Sequence, residues 1–233
     1  MLVITIGLII YQPITLLQKD KTACLSLTFD DGYASHYSTV LPLLKEKNYN
    51  ATFFIILNST AKPSYTPYMN EEQIQALASQ GYEIGSHSIN HPFLTNLSNE
   101  EIKKELKESK RQIEEKYNIK VTSFALPYGD YNDEILEEIK KYYISARTIY
   151  NLNSEDFLIR GLALTSDTTS EIVCQSIEHA NKEKLWLVLI FHDISQNPLK
   201  WDTSTENFKE ILQCAKNSNI KVDSITECKK ALS

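Results

Sequence analysis

The chain has 233 residues, 42% of them hydrophobic and 23% charged, with a formal net charge of -6. That balance is ordinary for a globular fold, and the lack of any basic run or stripe excludes a surface built to hold a nucleic-acid backbone. The length suits one large α/β domain or two small ones, and four cysteines with no C-x-x-C pair argue against a cysteine metal site.

In chain order, residues 1–20 come first, mostly apolar and without a charged side chain from Met1 to Leu17. They lack the basic start and small-x-small cleavage site of a clean signal peptide. They are also short of the ~20 residues of a spanning helix, and Pro13 interrupts them. The expectation is a segment for export or membrane anchoring ahead of a single domain over 21–233. The protein is then extracytoplasmic or membrane-anchored, and a buried N-terminus in a cytoplasmic protein is the alternative. Any membrane contact is expected through this segment alone, and the sequence does not fix an oligomeric state.

Leu25, Leu27 and Phe29 alternate with polar residues as a strand does, and Val40 to Lys47 reads as a helix starting near Ser38 or Thr39, with Pro42 in its first turn. Ala51 to Leu57 is a short apolar strand covered on both faces. Asn70 to Gln73 is a capping box and Gly81 a C-cap glycine, with Tyr82 to Gly85 the next strand. Ser98 to Glu101 is a second capping box, opening an amphipathic helix with Ile102, Leu106, Ile113 and Tyr117 on one face. Val121 to Leu126 is a strand, and Asn132 caps a helix through Ile139. Tyr142 to Ala146 and Leu158 to Leu164 are further strands. Thr169 to Ala180 is a helix, Leu185 to Phe191 a strand, Phe208 to Lys216 a helix and Ile220 to Ile225 a last strand. This alternation without a composition break predicts one parallel α/β domain, a distorted (β/α) barrel of seven or eight strands. Cys24, Cys174, Cys214 and Cys228 are read as buried thiols, and only Cys214 and Cys228 are close enough in sequence to suggest a local bridge.

Thr28-Phe29-Asp30-Asp31-Gly32 closes the first strand, and His87-Ser88-Ile89-Asn90-His91 follows a later one. Adjacent carboxylates and two histidines supply a one-Asp, two-His metal site with a carboxylate left over as base. Ser88 stands where a zincin helix needs Glu, so that reading fails. Catalytic groups of such barrels sit at the C-terminal ends of the strands, where Asp30, Asp31, His87, Tyr128 and His192 all fall.

These residues resemble the polysaccharide deacetylases, the NodB-type carbohydrate esterases. T-F-D-D-G and H-S-x-x-H are similar to the family's first two motifs. Phe124 to Gly129 (Phe-Ala-Leu-Pro-Tyr-Gly) resembles the third in the style of the poly-N-acetylglucosamine deacetylase-like members. Leu187 to His192 resembles the fifth, and Ser204 to Phe208 the turn that follows it. The resemblance implies that Asp31, His87 and His91 bind a divalent metal, zinc first, with Co, Ni, Mn or Fe as alternatives. It implies that Asp30 is the general base and His192 the general acid. It further implies that the Tyr128 N–H holds the oxyanion and that Ile190 lines the acetyl pocket. The reaction implied is N-deacetylation of an N-acetylated glycan. A small-substrate amidase or deformylase, or an inactive carbohydrate-binding relative, is the alternative.

Two departures stand out. Ala125 occupies the position of the third-motif Arg that orients the catalytic aspartate, so Arg160 is expected to support Asp30. The fourth motif is not recognisable, with Arg160 or Asp167 as substitutes. His36 and His179 are read as structural or exposed, and Asp193 as either solvated or functional. Tyr33, Tyr37, Phe93, Tyr131 and Trp201 are candidates for stacking on sugar rings.

Overall fold

The computed structural model describes residues 22–59, 67–149 and 156–232; the apolar segment 1–20 lies outside them. Seven parallel strands close a barrel: β1 (Cys24–Phe29), β2 (Thr52–Ile55), β3 (Glu83–Ser86), β4 (Ser123–Ala125), β5 (Ser145–Ile149), β6 (Leu158–Ala163) and β7 (Trp186–Phe191). β1 pairs with β7 along its whole length. Two more strands, β8 (Ile194–Ser195) and β9 (Thr203–Ser204), form a small parallel pair after β7, and β10 (Lys221–Val222) lies beside the start of β1 while β2 takes its end. The barrel is therefore splayed at its base, with β10 filling the gap.

The α-helices are α1 (Leu41–Lys47), α2 (Glu71–Ser79), α3 (Asn99–Tyr117), α4 (Asp133–Ile139), α5 (Ser170–Glu183), α6 (Thr205–Ser218) and α7 (Ile225–Leu232), with a π-helical turn over His36–Val40 and short 3-10 turns over Leu94–Asn96 and Pro127–Gly129. Both expected capping boxes form, Asn70 with Gln73 and Ser98 with Glu101. None of the described helices is long and apolar enough to cross a membrane.

The period-2 alternation of the strands separates two apolar regions. Leu25, Leu27 and Phe29 face outward into the large core under the helices, whereas Phe54, Ala125, Ile159 and Val188 fill the lumen. The polar positions of β1, Ser26 and Thr28, point into this lumen. There Ser26 accepts from Trp186 Nε1 (3.1 Å) and Thr28 donates to the Leu189 carbonyl (2.8 Å). The next lumen-facing positions on the same rows are Asp30 after Thr28, His87 after Gly85 and His192 after Ile190. The pleat thus delivers three reactive side chains to one end of the barrel. Phe29 anchors this end from outside, stacked on Phe53 (5.0 Å) and Phe191 (5.3 Å) and edge-on to Phe208 (5.8 Å). Truncating such a core phenylalanine costs ~3–5 kcal/mol.

Four expectations are corrected. The fifth strand begins at Ser145, because Tyr142 and Tyr143 both donate their N–H to Ile139 and finish the preceding turn. The C-terminal strand is only two residues long and is followed by α7. The cysteines are not thiols: Cys24 pairs with Cys228 and Cys174 with Cys214. The local Cys214–Cys228 pairing is excluded because the βα topology sets α7 against β1 and α5 against α6, so neighbours in space are distant in sequence. Finally, Asp193 is buried rather than solvated.

Candidate active site

At the strand ends, a cavity of about 420 Å³ is lined by Asp30, Asp31, Tyr33, His87, His91, Leu126, Tyr128, Arg147, Ala163, His192 and Trp201 among others. A wider depression of about 730 Å³ between α3 and α4 is lined by Asp133, Glu134, Glu137 and Glu138 and holds no histidine.

Asp31 and Gly32 have positive φ (71° and 83°), which turns the Asp31 side chain off the row that carries Asp30 and lets two adjacent carboxylates enter one cavity. Asp31 Oδ1 lies 3.6 Å from both His87 Nε2 and His91 Nε2, and the two imidazole nitrogens are 3.1 Å apart. Donors at ~2.0–2.2 Å from a tetrahedral ion are separated by ~3.3–3.6 Å, close to the edges of this triangle. The chemistry of the donors agrees. His87 Nδ1 donates to the Ala125 carbonyl (2.8 Å), so Nε2 presents a lone pair. Burial is the chief cause holding His87 neutral, against the opposing pull of Asp30 and Asp31. Asp31 Oδ1 is buried without a hydrogen-bond partner. These residues fit a divalent cation.

The loop bearing both histidines is shaped by α3. Glu105, itself buried, accepts from the N–H groups of Ile89 (2.7 Å) and Asn90 (3.1 Å) and from Asn90 Nδ2 (3.0 Å). Ser88 and His91 adopt positive φ, and Ser88 Oγ accepts the His91 N–H at 2.9 Å. Ser88, out of place in a zincin motif, is here the brace of the ligand loop.

Asp30 is met by Arg147, whose Nη2 lies 2.6 and 2.5 Å from its two oxygens; both side chains are buried. Burial alone would raise the Asp30 pKa. The Arg147 charge, then His87, His192 and the Arg147 hydrogen bond outweigh it, so the carboxyl sits below its ordinary range. Arg147 also lies over the Phe54 ring at 5.3 Å. Arg160 does not serve: Ile159 points into the lumen, so its neighbour Arg160 points out. The β4–β5 register explains the substitution, because Ala125 pairs with Arg147. The guanidinium arrives at the same height from the adjacent strand.

His192 lines the cavity, with its Nδ1 buried and unpartnered and its ring 6.3 Å from Trp201. Besides Asp30, the carboxyl that feels its charge is Asp202. Burial raises the Asp202 pKa, the Leu199 N–H offsets it, Asp193 raises it again and His192 lowers it. Tyr128 adopts φ 59° and stacks on Phe93 (3.8 Å, 9°) with its other contact on His91 (4.4 Å). Ile190 is fully buried, with its side chain against Gly161, and the cavity is lined at its level by Ala163, its partner across β6 and β7. Leu126, Ile149 and Ala163 form the apolar part of the cavity lining. Tyr33 and Trp201 line the cavity, whereas Tyr37 and Tyr131 pack against the core.

The sequence profile of the family described as polysaccharide deacetylase matches residues 18–146, more than half of the chain. The chain belongs to the polysaccharide deacetylase family. It is 26% identical over 208 residues to chitin deacetylase 1 of Cryptococcus neoformans, covering 81% of this chain and 43% of that protein. To the peptidoglycan-N-acetylglucosamine deacetylase of Listeria monocytogenes it is 27% identical over 171 residues, 73% of this chain and 32% of that one. The chain therefore spans less than half the length of either relative. The fold is that of the Xyl-CE4 domain of a multidomain xylanase from the hindgut metagenome of Trinervitermes trinervoides. The TM-score is 0.66 at 23% identity, over 90% of each chain.

Proposed function

We propose that this polysaccharide deacetylase family member is a metal-dependent hydrolase that removes N-acetyl groups from an N-acetylated glycan. The observation that carries the reading is the buried Asp30–Arg147 pair standing beside the Asp31, His87 and His91 triangle. A divalent ion there, zinc first by its fit to a carboxylate and two imidazoles, supplies Lewis acidity that acidifies water and polarises an amide carbonyl.

The chain's own groups divide the proton work. Asp30, kept ionised by Arg147, accepts the proton of the attacking water. His192 delivers a proton to the leaving nitrogen, since an amine leaves poorly unless protonated. A positioned acid or base contributes ~10²–10⁴-fold. The Tyr128 N–H supports the developing oxyanion, and Leu126, Ile149 and Ala163 receive the acetyl methyl. Tyr128, Phe93 and Trp201, 50%, 47% and 44% exposed, offer aromatic faces for sugar rings. Two disulfides support an oxidising, extracytoplasmic setting.

Acetate release from fragments of chitin, peptidoglycan and poly-N-acetylglucosamine, with small formamides and amides alongside, tests the proposal. Turnover of at least one glycan is expected. Turnover of the small amides alone would replace it with the amidase reading, and no turnover of any would support a binding protein.

A further inference from the structure

The base and acid stand on different loops. Up to Asp30 and Phe191 the β1–β7 ladder holds them in register, ending with the Asp30 N–H on the Phe191 carbonyl at 2.9 Å. Past that point the sheet no longer fixes His192. Its own ring does little to fix itself, because Nδ1 has no hydrogen-bond partner and the nearby Asp202 commits Oδ2 to the Leu199 N–H at 2.7 Å. Catalytic histidines are ordinarily oriented by a third group.

Two residues at the start of the helical segment after Asp31 contact the acid segment at three successive positions. His36 Nε2 faces the His192 carbonyl oxygen at 2.8 Å, and since that oxygen only accepts, Nε2 carries the proton. Ser35 Oγ donates to Asp193 Oδ1 at 2.5 Å and accepts the Ile194 N–H at 3.2 Å. The dipeptide is itself held firmly. His36 is wholly buried, packed on Phe29 (5.4 Å) and Phe53 (5.9 Å), and its carbonyl receives the Leu41 N–H across a wide π-type turn, a feature frequent at functional sites. On the other side Gly32 O accepts from Met69 N and Ala34 N donates to Pro67 O, each at 2.8 Å. Burial, the largest influence, holds His36 down to about 4, so it remains a neutral donor while the enzyme works.

We infer that Ser35 and His36 are positioning residues that clamp the His192–Ile194 segment to the Asp30–Asp31 loop, setting the acid against the base. The inference rests on the proposed acid role of His192. It gives Asp193 a structural role as the clamp's acceptor.

The test compares two substrates. An N-acetylglucosamine oligomer needs its leaving nitrogen protonated, whereas 4-nitrophenyl acetate expels a stable phenolate without an acid. For Ser35→Ala and His36→Leu we expect kcat on the oligomer to fall about 10- to 100-fold, part of the ~10²–10⁴ a positioned acid supplies. KM and ester turnover should stay within about twofold. His36→Gln, which keeps a side-chain N–H for the carbonyl, should recover most of the loss. Equal loss on both substrates would show general damage and overturn the clamp, as would undiminished oligomer turnover in both variants. His192→Asn is measured in parallel. If it loses oligomer turnover while the clamp variants do not, the clamp alone is wrong; if it retains turnover, the acid role beneath it is wrong.

Discussion

Replacing Arg147 by methionine removes the only cation hydrogen-bonded to Asp30 among the described residues while keeping a long apolar side chain over Phe54. Asp30 and Arg147 are 3% and 1% exposed, and one guanidinium nitrogen serves both carboxylate oxygens. Stranding a buried charge in this way costs ~3–5 kcal/mol, and at ~2–4 °C per kcal/mol for a chain of this size the melting point drops by about 6–20 °C. The lower end is expected, because His87 and His192 also support the carboxylate and Asp30 can take up a proton. In the parent, the folded pKa of Asp30 lies below the unfolded one. The unfolded chain then binds that proton more readily, and Asp30 stabilises the fold above about pH 4, losing this as pH falls. Without Arg147, burial dominates and the sign reverses: the raised pKa makes ionised Asp30 a destabilising group as pH rises through it. Thermal unfolding against pH, with the acidic limb of the pH–rate profile, reads both effects. The limb should move to higher pH, and Arg147→Met should cost far less in an Asp30→Asn background. An unchanged melting point with an unmoved limb would refute the pairing.

Three further outcomes are expected. Glu105→Ala, which frees the backbone between the two histidines without touching a proposed ligand, should weaken metal binding ~10–100-fold, measured by competition with a chelating dye. The chain denatured without reductant should show no thiol reactive to Ellman's reagent, and losing either disulfide should cost ~2–5 kcal/mol in denaturant unfolding. His36 titrates near 6.5 when unfolded and is pushed down to about 4 when folded, so the unfolded state binds more protons between these values. Stability should therefore rise with pH across that window, by up to ~3 kcal/mol, and the difference in slope between parent and His36→Leu, integrated over the window, should equal that gain.

The parts of the site that lie in continuous motifs at strand ends could be read from the chain: Asp30, Asp31, His87, His91 and His192 share one cavity because alternation and topology together put them there. Arg147 could not, since its partner is set by a β4–β5 register that no local pattern encodes. The expected strand ended at Ala146, one residue short of it. The one available signal was an arginine in an otherwise uncharged run from Tyr142 to Ile149, a cation with no local reason to be there. Glu105 carries no local signal within its helix, and only the packing of α3 on the 87–91 loop reveals its work. The disulfides were hidden because βα winding brings residues 204 and 40 positions apart into contact.

Metal content and acetate release, measured together on the parent, Asp30→Asn and His87→Ala, test the central claim most directly. The account predicts that the parent binds one divalent ion and releases acetate from an N-acetylated glycan. Asp30→Asn should keep the ion and lose ~10²–10⁴-fold in rate, and His87→Ala should lose both. An Asp30→Asn enzyme working at nearly the parental rate, or a His87→Ala enzyme that keeps both ion and activity, would contradict it.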